Sequence, residues 1–379
     1  MKILNVNMAI NSLHGGGTAE RTYQMSKHLA DRGIKCSILT LNLGLTPEIL
    51  NSLDTVEVVT IPCMNKRFFV PQLSFKSLKR INDLIARVDI VHIMGHWSII
   101  NALVYIFARQ LNKPYVFCPA GTYLIYGRSK NLKLLYNLII GQKIMRNAKL
   151  CIASTAEERS YIVNCGVNSR KVVLIPNGID LENIPVRNEV SFRSKYNIGD
   201  CPFILFVGTF SPIKGPDLLL EAFNRVKEKF PSYRLVFAGT DRGMLPELRK
   251  YVAKFNLQAR VHFVGHLGEI DKAQAYYTAD LLVVPSRSEV ISMVALEAGS
   301  TGTPVLITDQ CGFDEITAVD GGMVVPASVA GLERGLIELL SRPERLKAIG
   351  KNLEKYIAQN YSWGNITRKY IELYNQILL

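Results

Sequence analysis

A chain of 379 residues, 48% hydrophobic and 20% charged, has the composition of a soluble globular protein and is too long for one ordinary core, so two domains are expected. The formal net charge of +13 is one-sided: residues 1–180 hold 22 Lys and Arg against 10 Asp and Glu, whereas residues 181–379 hold 23 against 22. No apolar run reaches the length of a membrane span and no secretion signal is visible at the N-terminus. Seven cysteines without CxxC spacing read as reduced core thiols of a cytoplasmic protein, not as a disulfide frame.

A strand over 2–8 runs through the glycine turn His14-Gly-Gly-Gly17-Thr18 into a helix over 19–32. Strands at 35–41, 56–61, 89–93, 114–118, 149–153 and 172–175 then alternate with helices at 74–87, 97–110, 131–146 and 155–164. Pro176-Asn-Gly-Ile-Asp180 is a turn cluster, and 181–201, polar and irregular, reads as a linker. The pattern restarts with strands at 203–207, 234–238, 261–264, 281–284, 305–307 and 323–325, separated by helices at 215–229, 245–255, 270–277 and 294–300. Helical periodicity fills 330–340, 343–359 and 363–379. Strands alternating with helices of this length form parallel sheets covered on both faces. The expected architecture is α/β: two doubly wound, Rossmann-like domains facing a central cleft, 1–180 and 181–362, with the ligand between the carboxyl ends of the strands.

Two turns look built for an anion. Gly15, Gly16 and Gly17 permit close backbone approach at a helix start, where N–H groups favour negative charge. A dinucleotide-binding turn is the rival, but the spacing is not GxGxxG and no acid ends the second strand. In the second half, Val207-Gly208-Thr209 leads to Lys214-Gly215, again before a helix. A lysine set against the positive end of a helix has work other than stabilising that helix, and phosphate neutralisation is the natural candidate.

The most telling segment is Glu289 to Glu297, two carboxylates eight positions apart after the strand Leu281-Leu-Val-Val284 and the break at Pro285. Ser292 caps the next helix, so Glu289 falls in the loop and Glu297 inside the helix. Such a pair is too widely spaced to share a proton or a metal, but is suited to the two ends of a nucleotide-sugar.

With these motifs the chain resembles the retaining glycosyltransferases of family 4, of the two-domain GT-B fold. The Gly loop with Glu20-Arg21, Ile175-Pro-Asn-Gly178, Val207-Gly208 with Lys214-Gly215, E-x7-E, and Gly302-Thr-Pro304 carry the resemblance over nearly the whole length. It implies a nucleotide-sugar donor bound by 181–362, an acceptor bound by 1–180, and a last helix, 363–379, that returns to the first domain. Lys214 would neutralise the leaving diphosphate with the N–H groups of Gly16 and Gly17. Gly208 and Thr209 would line the donor, Glu289 would hold sugar hydroxyls, Ser292 and Met293 N–H groups would meet phosphate, and Glu297 would bind ribose. Lys214 and Glu289 are thus the expected catalytic pair. No Asp-x-Asp occurs, so neither metal nor other cofactor is expected.

The chain departs from the family at four places. Thr209 stands where relatives carry Arg, for which Arg287 or a basic group of the first half is a candidate substitute. Val290 and Ile291 follow Glu289 where relatives have Gly and Phe. Pro119-Ala120-Gly121 replaces a His-Gly. His92 and His96 end a neighbouring strand; His96, Gly121 and Thr122 are candidate contacts to the sugar or acceptor, although packed histidines are the commoner outcome. A nucleotide-sugar epimerase of the same fold and a non-catalytic sugar-binding relative stay open beside the transferase.

The basic excess of the first half admits nucleic acid, an anionic membrane or an acidic substrate. Aromatics interleaved with Lys and Arg over 66–80 and 126–149 favour the membrane and a lipid-linked or glycan acceptor, as in surface polysaccharide biosynthesis at the cytoplasmic leaflet. Nucleic acid is not expected. Phe68, Phe69 and Phe75 have the alternative of lying in the core.

Overall fold

The computed structural model describes residues 1–66, 68–123 and 130–379. The chain divides into two compact units. The first, Met1–Gly178 with Trp363–Leu379, contains β1 (Lys2–Val6), β2 (Lys35–Leu41), β3 (Glu57–Ile61), β4 (Cys63–Asn65), β5 (Val70–Pro71), β6 (Ile90–Met94), β7 (Tyr115–Cys118), β8 (Leu150–Ala153) and β9 (Val172–Leu174). Seven strands form a parallel sheet in the order β3-β2-β1-β6-β7-β8-β9, while β4 and β5 pair as a separate antiparallel hairpin. The second unit, Ile179–Ser362, contains β10 (Phe203–Val207), β11 (Arg234–Ala238), β12 (Val261–Gly265), β13 (Leu281–Val284), β14 (Val305–Thr308) and β15 (Gly322–Val325). These run parallel in the order β12-β11-β10-β13-β14-β15.

Helices on both faces of each sheet explain why the central strands are apolar at consecutive positions. Every residue of β6 and β13 is buried. In both sheets the strand order reverses in the middle, between β1 and β6 in the first and between β10 and β13 in the second. The loops leaving the carboxyl ends of those strand pairs diverge, which opens the crevice where α/β domains hold ligands.

The helix Trp363–Leu378 buries Trp363, Ile366, Tyr370, Leu373, Tyr374 and Ile377, residues at three- and four-residue spacing and hence on one face. That face joins Ile3, Met25, Leu29, Ile38 and Val116 in the core of the first unit. Gly178 is glycine because a Cβ there would lie 2.5 Å from the Trp363 indole.

Two local expectations are corrected. The first helix begins at Ser12, not after the glycines, and Gly16 breaks it with φ 55° and ψ −142°; only glycine visits that region without strain. The segment 181–201 is not a bare linker: it holds the helix Glu189–Lys195, and Phe192 and Ile198 are fully buried in the apolar core of the second unit. Phe68 and Phe75 are exposed, whereas Phe69, at φ 52°, packs partly against the core. Arg67, Tyr126 and Arg128 lie outside the described residues.

Candidate functional site

In the second unit, the turns after β10 and β13 meet at the reversal point. Gly215, at φ 66°, allows this: a Cβ there would lie 2.1 Å from the Pro285 carbonyl oxygen. The 3-10 turn Pro212–Lys214 thereby delivers Lys214 Nζ to 2.7 Å from Glu289 Oε1, across 75 residues of sequence. The Ser286 hydroxyl donates to the same oxygen at 2.5 Å. Glu289 is 8% exposed and Lys214 33%, so the pair is screened less than a surface ion pair while the ammonium still reaches solvent. Among the described residues, Glu289 Oε2 accepts no hydrogen bond and Lys214 Nζ makes one of its three.

The loop carrying Glu289 is wedged from two sides. Arg287 N–H donates to Ile213 O at 2.7 Å, and its guanidinium holds Pro212 O and both oxygens of Asp217 at 2.6–2.9 Å. Arg287 is therefore a clamp between the two turns and does not replace the cation missing at Thr209, whose hydroxyl lies 3.3 Å from that of Ser211. On the other side, Glu289 N–H donates to Gln310 O and Ser292 N–H to Cys311 O. Gly312 lies so close that a Cβ would be 1.8 Å from Val290 O. This corrects one expectation: the Ser292 N–H is spent inside the fold, and the residue acts as N-cap, its Oγ accepting from Ala295 N–H at 3.4 Å. Met293 opens the helix Met293–Ser300. Gly208 belongs to the same corner, where a side chain would press on the Phe206 ring and the Lys214 stem.

Glu297 is the fifth residue of that helix. Lys272 Nζ donates to its Oε1 at 2.9 Å and Tyr276 OH to its Oε2 at 2.7 Å. Both donors come from the helix Glu269–Thr278, where the i, i+4 spacing puts them on one face. Burial, together with the carboxylate itself, pushes the Tyr276 phenol well above its usual range, so it remains a neutral donor. Lys272, Tyr276 and Ser286 were not anticipated from sequence; the one available signal was the Lys-x3-Tyr spacing before β13. Each glutamate thus has its own lysine and its own hydroxyl.

In the first unit, Gly16 and Gly17 are exposed, and a Cβ on either would meet nothing within 4 Å. The loops after β6 and β7 are joined: His96 N–H donates to Thr122 Oγ1 at 2.9 Å, Thr122 Oγ1 donates to Pro119 O at 2.6 Å, and Gly121 N–H donates to Glu158 Oε1 at 2.7 Å. Ala120 and Gly121 sit in succession at φ 46° and 79°, a conformation that strains Ala120. The ring of His96 is not presented to a ligand. It is buried among Trp97, Phe117 and Tyr136, with Nε2 2.6 Å from Asn137 Oδ1. His92 is likewise buried, Nδ1 2.7 Å from Tyr374 OH; burial first and the nearby Arg21 second depress its pKa to about 3, so it stays neutral. Burial pushes the Glu158 carboxyl up, against the N–H groups of Gly121 and Ser154 and the Arg21 charge.

Two family models match the chain: Glycosyltransferase Family 4 over residues 15–183 and Glycosyl transferases group 1 over residues 189–356. The chain belongs to the family 4 glycosyltransferases. Among curated relatives, the D-inositol 3-phosphate glycosyltransferase of Nocardia farcinica is 30% identical over 63% of this chain and 55% of the relative, so the chain spans about half the length of that match. D-inositol 3-phosphate glycosyltransferase 2 of Catenulispora acidiphila is 26% identical over 95% of this chain and 90% of the relative. Among solved structures, Anabaena HepE in complex with UDP superposes with a TM-score of 0.80 at 17% identity, over 99% of this chain and all of that one. The likeness fixes the fold as GT-B. Within this family-4 frame, the E-x7-E segment is the loop and helix that hold Glu289 and Glu297.

Proposed function

We propose that the protein is a retaining glycosyltransferase that moves a sugar from a nucleoside-diphosphate sugar to a glycan or lipid-linked acceptor in surface polysaccharide or other cell-envelope glycan biosynthesis. It works in the cytoplasm, peripherally on the inner leaflet of the cell membrane. The observation that carries this reading is the Lys214–Glu289 pair at the reversal point of the second sheet, one turn before the helix that carries Glu297. Family membership supports it, as does the UDP in the HepE complex. Retention is carried by the family resemblance.

The chemistry is charge stabilisation. As the bond between the anomeric carbon and the diphosphate lengthens, negative charge grows on the leaving oxygen. Lys214 and the positive end of the Met293–Ser300 helix lie ready to meet it without reorganising. Glu289, held by Ser286, keeps one oxygen for the hydroxyls of the transferred sugar. Glu297, held open by Lys272 and Tyr276, accepts from the vicinal ribose hydroxyls, a task to which a two-oxygen acceptor is suited.

The test is incubation with UDP-, GDP- and ADP-sugars in the presence of EDTA. Acceptor-dependent release of nucleoside diphosphate is expected. Interconversion of the sugar without release supports an epimerase instead, and donor binding with neither outcome supports a sugar-binding relative. Glu297→Gln is expected to lose one charge-assisted hydrogen bond, about 1.5–3 kcal/mol, or roughly a 10- to 150-fold rise in the Kd for the nucleotide. Calorimetry with the free nucleotide reads this directly; an unchanged Kd removes Glu297 from the donor site.

A further inference from the structure

The helical segment 130–147, built from Lys130–Tyr136, the π-turn Asn137–Gly141 and Gln142–Asn147, is apolar on both sides. Its inner face, with Tyr136, Ile140, Ile144 and Met145, packs on the core of the first unit. Its outer face carries Leu138, 79% exposed, with Leu132, Leu134, Leu135 and Ile139 at 48–59%. A helix apolar all round is ordinarily covered on all sides, and an uncovered leucine row of this length marks a docking surface. Exposed cations flank it, Lys130 before the row and Lys143 and Arg146 after it.

A second apolar group lies on the β4–β5 hairpin and the helix that follows it, where Met64 is 71% and Phe75 84% exposed beside Lys66, Lys76 and Lys79. The helix Ile99–Gln110 lies between the two groups. It packs on the helix Phe75–Ala86 and on β5, and it takes hydrogen bonds from the other side, Tyr136 OH to Ser98 O and Asn147 Nδ2 to Tyr105 OH. It adds the exposed Ile99 and Ile106. From residue 90 to residue 156 the sequence holds no Asp or Glu and eight Lys and Arg.

We propose that the outer face of 130–147, with the hairpin group, docks on an anionic lipid leaflet. The leucine row lies in the plane of the interface and the lysines lie among acidic headgroups. Charge decides between occupants. A second copy of the chain would bring two faces with a net positive charge together, whereas an anionic leaflet offers apolar depth and negative charge at once. The proposal deepens the peripheral placement given above and rests on it, and it identifies the segment that enters the membrane.

The full chain is sedimented with vesicles of phosphatidylcholine containing about 30% phosphatidylglycerol, a fraction chosen to give a strongly anionic surface. Binding is expected to the anionic vesicles, to fall steeply with added salt, and to be weak on phosphatidylcholine alone. Leu138→Asp with Ile139→Asp is expected to abolish binding with the thermal unfolding midpoint unchanged, since both side chains are exposed. Lys130→Gln and Lys143→Gln are each expected to weaken it roughly fivefold. Lys133 Nζ lies 5.4 Å above the Trp97 ring and Tyr136 packs beside it. A Trp363→Phe variant therefore leaves Trp97 as the sole indole reporting on the seated helix, and its emission is expected to change on anionic vesicles only. Equal sedimentation with and without the acidic lipid, or wild-type binding by the double aspartate variant, overturns the proposal. So does a concentration-dependent dimer broken by the aspartates in a protein that ignores vesicles. Sugar transfer enters none of these readings, so loss of activity and loss of docking remain separable.

Discussion

Lys214→Ala is expected to lower kcat about a hundred- to a thousandfold, the effect of removing one preorganised group from the position where charge develops. Binding of the nucleotide is expected to weaken much less, because the lysine acts most strongly as the diphosphate departs. The same change removes the cation 2.7 Å from Glu289, so the variant Lys214→Arg, which keeps the charge in a wider head, separates the two effects. A turnover restored in part by arginine points to charge on the leaving group. A turnover equal to that of alanine points to the shape of the corner. If single-turnover rates for Lys214→Ala stay within about tenfold of wild type, the proposed stabilisation of the leaving group is wrong.

Tyr370→Phe is expected to destabilise the first unit by about 2–4 kcal/mol, or roughly 5–15 °C in unfolding midpoint. Arg21 is buried, and its guanidinium is satisfied entirely by neutral oxygens: Tyr370 OH at 2.7 and 3.1 Å, Ser154 Oγ at 2.7 Å, Asn177 Oδ1 at 2.6 Å and Ile175 O at 2.7 Å. Removing one hydroxyl strands two N–H donors of a cation away from water, where the cost is that of desolvation and not merely of one neutral bond. Tyr23 OH bonds Ser52 Oγ at the surface, so Tyr23→Phe serves as the control and is expected to cost no more than about 0.5 kcal/mol. Equal shifts for the two variants would mean that Arg21 finds a substitute acceptor.

How much of this was legible in the sequence depends on the range of the interaction. Alternating apolar runs and helical periods reveal the two α/β sheets, because that signal is local. The strand break at Pro285 and the cap at Ser292 likewise place Glu289 in a loop and Glu297 in a helix. The partners of those carboxylates were not readable. Lys272 and Tyr276 sit on a helix whose surface looks ordinary until tertiary packing turns that face toward Glu297. Arg287 resembles a free cation in sequence, yet Asp217, 70 residues earlier, occupies it. Arg21 enters the sequence reading only as part of the glycine-loop motif; the partner that holds it in the core is a tyrosine 349 positions away. Within 126–149 the sequence reading rested on aromatics and cations, and only the fold reveals that the leucines of 132–138 face outward.

The path of the chain bears on how the protein is made. Ile179 N–H bonds Tyr361 O at 2.7 Å, and Ile179 bridges Ser362, so the second unit closes on itself at the point where the chain enters and leaves it. The first unit is not closed until Trp363–Leu378 has been synthesised. While the second unit is being synthesised, the Arg21 pocket lacks Tyr370 and the first unit lacks the apolar face of its last helix. That nascent intermediate is the form on which chaperones would act.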